Sequence, residues 1–211
     1  MADKPTKPPS LPMPPFASFP ELLPAEEHDA LLGWILSNED ALRASTLAGG
    51  RLDPQARTSR SLPRSFNGDW QEALRTRIAE LFPQILRATG IKAFALAEVD
   101  LKLVAYGDGD FFAPHVDTLV GARRGATDRV VTAIYYLHRR PRAYSGGALR
   151  LFPLGSAAGP EDTFVEIEPR DNCLIAFPSW AMHGVAPVAC PSGRFEDSRF
   201  AINCWLNRAA L

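Results

Sequence analysis

The sequence has few cysteines and no cysteine pair with a metal-binding spacing. Its 211 residues include three cysteines, Cys173, Cys190 and Cys204, and contain no CxxC motif. Cys173 and Cys204 lie in apolar stretches, which is typical of free thiols that pack in a core as small hydrophobic groups. This pattern favours a reducing compartment and predicts a cytoplasmic location.

The sequence also lacks a long apolar run and an excess of charge of either sign. No run approaches the roughly 20 residues of a membrane-spanning helix. Because the net charge is −1, we expect neither a membrane nor a nucleic acid as partner. The N-terminal stretch MADKPTKPPSLPMPP has lysines but no apolar segment, so it is not typical of a signal peptide.

The size and composition are those of one globular domain with a proline-rich extension. Apolar residues make up 46% and charged residues 22% of the chain, which is ordinary for a globular protein with a full core. The density of prolines predicts a flexible arm over residues 1–18. We expect a single domain over residues 19–211, with supporting helices in about 19–90 and a β core in about 91–208.

Two helices and a polar connection are predicted before the β core. Pro24 indicates the start of the first helix. The second is expected to begin near Asp69 and to end at Gly90, with Pro83 kinking or dividing it. Residues 44–66 between the helices predict a long loop or an irregular hairpin, and long loops inside compact domains are often functional.

The apolar pattern changes to a period of two after the second helix. Alternation begins at Val99, and short strand-like runs separated by Gly, Pro and Asp continue to Leu206. Such runs are typical of an antiparallel sandwich or barrel. We therefore predict an α+β fold that is mainly β, with the N-terminal helices packed on one sheet.

Two of the four histidines follow strand-like runs and are candidate metal ligands. His115 and Asp117 project to the same side of an extended backbone, and His183 follows another apolar run. Two histidines and a carboxylate form the facial triad of non-haem Fe(II) oxygenases. The same residue types also occur as the ligands of zinc hydrolases. In a further alternative, a histidine is hydrogen-bonded to a nearby carboxylate and no metal is bound. His28 and His138 are predicted to be exposed on the surface.

A second candidate site involves the last strand-like run, RFAINCWL. Alternation places Arg199, Ala201, Asn203 and Trp205 on one face of this strand. An arginine on the inner face of a barrel is unfavourable unless it is paired, and a dicarboxylate would pair it through a bidentate contact. Arg194, in the preceding loop 189–198, is an alternative partner for such a ligand.

Four motifs in order resemble one enzyme family. They are AYGDGDFFAPHVDT, RVVTAIYYLHRRPRAYSGGALRLFP, MHGVAPV and RFAINCW. Together they are similar to 2-oxoglutarate/Fe(II) dioxygenases of the prolyl 4-hydroxylase type, and the second motif resembles the hypoxia-sensing prolyl hydroxylase branch most closely. The likeness covers roughly residues 95–207. It implies a double-stranded β-helix, or jelly-roll, core.

The resemblance also implies roles for individual residues. His115, Asp117 and His183 would be the catalytic ligands of Fe(II). The residues expected around 2-oxoglutarate are Arg199 and Tyr136 at its distal carboxylate, Tyr106 beside it, and Ile134 and Leu149 as apolar walls. Arg129 and Trp205 match positions near the substrate. The spacing within RFAINCW favours Arg199 over Arg194, although the stretch before Arg199 is longer than in the hypoxia-sensing branch.

The activity implied by the resemblance is hydroxylation of a prolyl residue in a protein or peptide. The reaction would consume 2-oxoglutarate and O₂ and produce succinate and CO₂, with ascorbate as a candidate reductant. A free amino acid or another small molecule is an alternative substrate. A non-catalytic module that senses 2-oxoglutarate or iron is a further alternative, against which the complete set of ligands argues.

Overall fold

The computed structural model of the chain is mainly β. It describes residues 12–47, 49–63, 68–118, 126–157 and 163–210. Within these residues it contains two α-helices and fourteen β-strands. None of the described helices is both long enough and apolar enough to cross a membrane. Residues 1–11 of the predicted proline-rich arm lie outside the described part of the chain.

The strands form antiparallel sheets. Their bounds are β1 Ala17–Pro20, β2 Arg43–Ala44, β3 Arg57–Thr58, β4 Arg60–Ser61, β5 Glu98–Tyr106, β6 Phe111–His115, β7 Thr127–Leu137, β8 Ser145–Gly146, β9 Leu149–Leu151, β10 Val165–Ile167, β11 Cys173–Pro178, β12 His183–Val185, β13 Val188–Ala189 and β14 Arg199–Ala209. One sheet has the order β1-β11-β7-β14-β5-β4-β2, and a second has the order β10-β9-β12-β6-β3. The short strands β8 and β13 pair with each other.

The two helices begin and end close to the predicted positions. Helix α1 spans Ala25–Ser37, and helix α2 spans Trp70–Thr89. Gly90 caps α2 in the left-handed conformation with a φ of 66°, which a residue without a Cβ adopts at little energetic cost. Helix α2 continues through Pro83. Of the two expectations for this proline, the division of the helix is therefore wrong.

The helices cover one face of the seven-stranded sheet. Leu31 of α1 and Ile78 of α2 belong to one buried apolar cluster, together with Phe200 and Ile202 of β14. The opposite face of the same sheet contributes Tyr136 and other side chains to a second cluster, which packs against the five-stranded sheet. Strand alternation therefore separates a helix-facing core from an inter-sheet core.

The end of the predicted arm is part of the seven-stranded sheet. Ala17 and Ser18, within the predicted arm, lie in β1 and pair with Ala176 and Ile175 of β11. Strand β1 is an edge strand, where a proline such as Pro20 is tolerated because one side of the strand needs no ladder hydrogen bond. The boundary expected at residue 18 is therefore too late in the chain.

Residues 43–61 connect the two sheets at one edge. Strand β2 pairs with β4, which extends the seven-stranded sheet, whereas β3 pairs with β6 of the five-stranded sheet. Only Ser59 separates β3 from β4, so the chain passes from one sheet to the other at that residue. The described residues of the polar segment thus form an irregular hairpin, and part of it lies beside the candidate site. Residues 48 and 64–66 of the predicted segment lie outside the described part of the chain.

The expectations that His28 and His138 lie on the surface are wrong. The His28 side chain is 0% exposed, with Nδ1 2.6 Å from the Tyr135 hydroxyl and Nε2 3.0 Å from Asp171 Oδ1. His138 is also buried, and its backbone N–H donates to the same Asp171 oxygen at 3.0 Å. The acidic sequence around His28 indicated a solvated helix face, but His28 itself points to the sheet.

Replacing His28 with alanine is expected to destabilise the protein. The change leaves the partly exposed Asp171 carboxylate and the buried Tyr135 hydroxyl each without one partner, so we expect a loss of about 2–4 kcal/mol in the free energy of unfolding. Urea denaturation followed by circular dichroism measures the loss. Glu26→Ala, an exposed change in the same helix, is the control. Equal effects of the two changes would contradict this role of His28.

Candidate functional site

Three potential metal ligands meet between β6 and β12. Nε2 of His115 is 3.8 Å from Asp117 Oδ1, and Nε2 of His183 is 3.6 Å from Asp117 Oδ2. One ligand atom from each of the three residues lies within 4.8 Å of the others, so a single ion could contact all three. The sequence prediction of this group is thus matched by its geometry.

Strand pairing explains why the two histidines meet. In the antiparallel pair of β6 and β12, His115 lies directly opposite His183, although the two are far apart in sequence. The register shifts before Val185, which pairs with Phe112. A Cβ on Gly184 would lie 2.9 Å from the Phe112 carbonyl oxygen, so glycine permits this close approach of the two strands.

Backbone hydrogen bonds orient both imidazole rings. Nδ1 of His115 is 2.9 Å from the Ala113 carbonyl oxygen, and Nδ1 of His183 is 2.9 Å from that of Ala181. A carbonyl only accepts, so each Nδ1–H donates and each Nε2 keeps its lone pair for a metal. Burial, and then the nearby His183, lower the pKa of His115 to about 3, which keeps this ring neutral.

Two hydrogen bonds hold the Asp117 carboxylate. Trp205 Nε1–H donates to Asp117 Oδ2 at 2.9 Å, and the Thr132 hydroxyl donates to the same oxygen at 2.8 Å. Trp205 and Thr132 are cross-strand partners on β14 and β7. Burial raises the pKa of Asp117. The two histidines and these hydrogen bonds lower it by more, so the pKa of Asp117 lies below its ordinary value. Asp117 is therefore ionised, as a metal ligand must be.

The donor set fits Fe(II). Two imidazole nitrogens and one carboxylate oxygen lie within reach of a single ion, and these are the ligand types of the facial triad. Sequence reasoning did not identify Thr132 as a support for Asp117, because nothing in the local pattern indicates which threonine faces a carboxylate across a sheet.

Arg199 is buried without a hydrogen-bond partner. Its side chain is 1% exposed, and its three guanidinium nitrogens find no partner among the described residues. The guanidinium carbon lies 4.9 Å from the ring centroids of both Tyr106 and Tyr136. Arg199 pairs with Tyr106 on β5, and the neighbouring Ala201 pairs with Tyr136 on β7, so the sheet register brings the three side chains together.

Two tyrosine hydroxyls near Arg199 are also unsatisfied. The hydroxyls of Tyr136 and Tyr144 are buried and lack a partner in the described part of the chain. Burial raises the pKa of Tyr136, and it raises that of Tyr144 to about 12, so both remain neutral donors. A guanidinium with two hydroxyl donors fits a carboxylate. Sequence reasoning did not identify Tyr144, since only burial reveals an unsatisfied hydroxyl.

The SGG motif makes room for this arginine. A Cβ on Gly147 would lie 2.6 Å from Arg199 Cδ, and the φ of Gly147 is +68°. Both the space and the backbone conformation therefore require glycine. The alternative arginine is on the surface: the Arg194 side chain is 64% exposed and forms an ion pair with Glu196. The geometry thus favours Arg199 over Arg194.

A cavity of about 810 Å³ contains the metal ligands. Of the other predicted site residues, Tyr106, Ile134, Arg129 and Trp205 line it. Tyr136 and Leu149 belong to the inter-sheet cluster and do not line the cavity. Arg199 is also buried and does not line it.

Arg129 and Trp205, the predicted substrate residues, contact each other. The Arg129 guanidinium carbon lies 3.8 Å from the Trp205 ring centroid. Arg129 also lies 3.9 Å from carboxylate oxygens of both Asp117 and Asp100. Because Trp205 also donates to Asp117, these two residues support a metal ligand in addition to lining the cavity.

Comparison with known proteins identifies the family. The family model of the 2OG-Fe(II) oxygenase superfamily matches residues 101–207, about half of the chain. The protein belongs to this superfamily. This membership favours an iron- and 2-oxoglutarate-dependent oxygenase over the zinc hydrolase that the bare histidine pattern also allowed.

A curated relative of this oxygenase is an uncharacterised PKHD-type hydroxylase from Synechocystis sp. The two are 35% identical over 138 residues, which is 64% of this chain and 45% of the relative. The match therefore spans less than half of the relative's length.

Solved structures similar to this oxygenase include prolyl hydroxylases. A Pseudomonas putida prolyl-4-hydroxylase has a TM-score of 0.66 at 20% identity, over 92% of this chain and 93% of the other. A Trichoplax adhaerens prolyl hydroxylase, in complex with a hypoxia-inducible factor peptide fragment, has a TM-score of 0.63 at 18% identity. The similarity covers 92% of this chain and 83% of the other. These likenesses, at 20% identity or less, show the fold, and the membership of the superfamily rests on the family match.

Proposed function

We propose that this oxygenase hydroxylates a prolyl residue in a protein or peptide, with 2-oxoglutarate as cosubstrate. The reaction converts 2-oxoglutarate, O₂ and the substrate C–H group into succinate, CO₂ and an alcohol. One oxygen atom of O₂ enters the new hydroxyl and the other enters succinate. The observation that carries this proposal is the joint presence of the three metal ligands and the unpaired, buried Arg199.

The residues that would hold Fe(II) are His115, Asp117 and His183. Bound Fe(II) would supply the redox chemistry that activates O₂. The chain's own contribution is to fix the ligands: the Ala113 and Ala181 carbonyls orient the two imidazoles, and neighbouring donors hold the carboxylate. Such supporting hydrogen bonds keep the ligand geometry constant through the reaction.

The residues that would hold the distal carboxylate of 2-oxoglutarate are Arg199, Tyr136 and Tyr144. An ionised carboxylate accepts from a guanidinium and from hydroxyl groups, so it would satisfy donors that otherwise remain buried and unpaired. Tyr106, Ile134 and Leu149 would form the walls of this subsite. The role of Arg199 in binding the cosubstrate is thus supported by the chemistry of its surroundings.

The proposal also includes several features that were predicted from the sequence. We infer that the two facing sheets form a double-stranded β-helix, which the shared inter-sheet cluster supports. A single dioxygenase domain that includes β1, with a proline-rich arm before it, also belongs to the proposal, as does a closer relation to the hypoxia-sensing branch. The cytoplasmic location and the use of ascorbate stay predictions.

A prolyl substrate is supported by the prolyl hydroxylases among the similar structures, one of which contains a peptide. A free amino acid or another small molecule is the second candidate. The cationic side chains that line the site cavity favour a substrate that carries a carboxylate group, whether that substrate is a small molecule or a peptide.

Mass spectrometry tests the proposed function directly. The purified protein, loaded anaerobically with Fe(II), is given O₂, 2-oxoglutarate and either proline-containing peptides or free L-proline. We expect one substrate to gain a single oxygen atom, with an equal amount of succinate. Omitting 2-oxoglutarate should abolish both products. Oxidation of L-proline alone would favour the small-molecule alternative, and an absence of 2-oxoglutarate binding and turnover would contradict the oxygenase function.

A further inference from the structure

We propose that this oxygenase recognises its substrate through a carboxylate group that binds Arg57 in the site cavity. The proposal rests on the proposed function and deepens it by naming a chemical group that the substrate must carry. The carboxylate could belong to a free amino acid or to an acidic residue of a peptide, and the experiment below separates these two sources.

Arg57 is a buried cation without a counter-ion among the described residues. Its side chain is 8% exposed and lines the cavity that contains the metal ligands. Its Nε donates to Ser59 Oγ at 2.8 Å, but Nη2 has no hydrogen-bond partner and no carboxylate forms an ion pair with Arg57 in the described part of the chain. A charge removed from water in this way is unfavourable unless a ligand pairs with it.

Neighbouring groups fix the position of this guanidinium. Ser59 Oγ, which accepts from Arg57, itself donates to Ser45 Oγ at 2.9 Å. Arg57 is the cross-strand partner of Phe112, and its guanidinium carbon lies 4.5 Å from the centroid of that ring. A cation held over an aromatic face and by a hydrogen bond is preorganised, so a ligand would bind it with little loss of side-chain entropy.

Arg57 is separated from the metal site by one aromatic ring. The Phe112 ring stacks on the imidazole of His115, with ring centroids 3.6 Å apart and an angle of 19° between the planes. A carboxylate bound at Arg57 would therefore place the adjoining carbon atoms of the same molecule close to the metal ligands. This is the arrangement needed to present a C–H bond of a carboxylate-bearing substrate.

The charge of the cavity also favours an anionic substrate. Among its described lining residues, Arg57, Lys102 and Arg129 are cationic, and Asp117 is the one carboxylate. Asp117 faces the two histidines, and Arg129 lies near two carboxylates, whereas Arg57 has none. A cleft lined by charges of one sign raises the local concentration of ligands of the opposite sign.

The cosubstrate does not account for this arginine. The distal carboxylate of 2-oxoglutarate is assigned above to Arg199 on β14, in the seven-stranded sheet, whereas Arg57 is on β3 at the edge of the five-stranded sheet. Two separate buried guanidinium groups that have no counter-ion in the described ranges imply two separate anionic groups. The second anionic group is therefore assigned to the substrate.

Matched pairs of probes test this assignment. One pair is L-proline and L-prolinamide, and the other is a capped peptide with Glu next to proline and the same peptide with Gln. Each probe is titrated anaerobically into the protein loaded with Fe(II) and 2-oxoglutarate, and binding is followed by the change in visible absorption. We expect at least one carboxylate probe to bind about 10- to 100-fold more tightly than its amide.

Substitutions then test whether Arg57 causes the preference for the carboxylate probe over its amide. Arg57→Gln should remove this preference, and Arg57→Lys, which keeps the charge, should retain part of it. Arg60→Gln is the matched control, because Arg60 also lies over a phenylalanine, Phe195, at 4.8 Å but does not line the cavity. Circular dichroism and thermal unfolding verify that each variant is folded.

The outcomes distinguish this proposal from the proposed function. A preference limited to the L-proline pair indicates a free acid as substrate, and one limited to the peptide pair indicates an acidic peptide. A wild-type protein that binds 2-oxoglutarate but shows no preference for either carboxylate overturns the role of Arg57 alone. A preference that survives Arg57→Gln, or a variant that loses 2-oxoglutarate affinity instead, overturns it too. Failure of the wild type to bind 2-oxoglutarate would contradict the proposed function itself.

Discussion

Replacing His115 with alanine is expected to abolish high-affinity Fe(II) binding and with it 2-oxoglutarate turnover. The change removes one of three ligand atoms and leaves Asp117 and His183, which cannot form a three-ligand face. Loss of an outer hydrogen bond alone weakens metal binding about 10- to 100-fold, so loss of a ligand should exceed 100-fold. The measurement is an anaerobic Fe(II) titration with 2-oxoglutarate present, followed by the metal-to-ligand charge-transfer absorption.

The control for this experiment is His138→Ala. His138 is a buried histidine whose Nδ1 contacts the Arg139 carbonyl oxygen at 2.8 Å, and it is not among the grouped metal ligands. The variant should keep the absorption band and the Fe(II) affinity of the wild type. An unchanged band in the His115 variant would mean that the metal binds elsewhere, which contradicts the proposed iron site.

Replacing Arg199 with methionine is expected to separate stability from cosubstrate binding. Without ligand, the wild-type protein carries a buried guanidinium with no hydrogen-bond partner among the described residues. An apolar side chain of similar length should therefore leave the unliganded protein at least as stable as the wild type. Affinity for 2-oxoglutarate should fall by about 30-fold or more, because the carboxylate loses a charged partner in a buried site.

Thermal unfolding with and without 2-oxoglutarate measures both effects. A ligand that binds only the folded state raises the melting temperature in proportion to its affinity, so the wild type should be stabilised and Arg199→Met should not. Arg194→Met is the matched control, since Arg194 is exposed and paired with Glu196. Loss of stabilisation in the Arg194 variant, with stabilisation retained in the Arg199 variant, would show that the assignment of the arginine is wrong.

Local patterns in the sequence predicted which strand faces carry the side chains of the candidate site. Strand alternation alone placed Arg199 and Trp205 on one face and Phe200 and Ile202 on the other. The structure confirms both faces: Phe200 and Ile202 lie in the helix-facing cluster, whereas Arg199 lies beside Tyr136 and Trp205 lines the cavity. The same rule placed Tyr135 and Tyr136 on opposite faces, also confirmed. These predictions succeed because the period of a strand depends only on backbone geometry and not on the remainder of the chain.

Predictions that depended on burial were less successful. His28 has an acidic, apparently solvated neighbourhood in the sequence, yet it is buried against Tyr135 and Asp171. Tyr144 and Arg57 are ordinary residues in the sequence, and only the structure reveals that they are buried with unsatisfied polar atoms. Whether a polar side chain is solvated depends on elements that are distant in sequence, and a local pattern carries no information about them.

The sequence by itself determined the residue types of the site, the alternation of its strands and the ends of its helices, because these follow from local backbone and side-chain chemistry. The tertiary structure alone decided that His115 lies opposite His183, that Trp205 and Thr132 both hold Asp117, and that two arginines are buried with no counter-ion in the part of the chain that the structure describes. The physical reason is that strand register and burial arise from the simultaneous packing of all the elements, which fixes contacts between residues far apart in the chain.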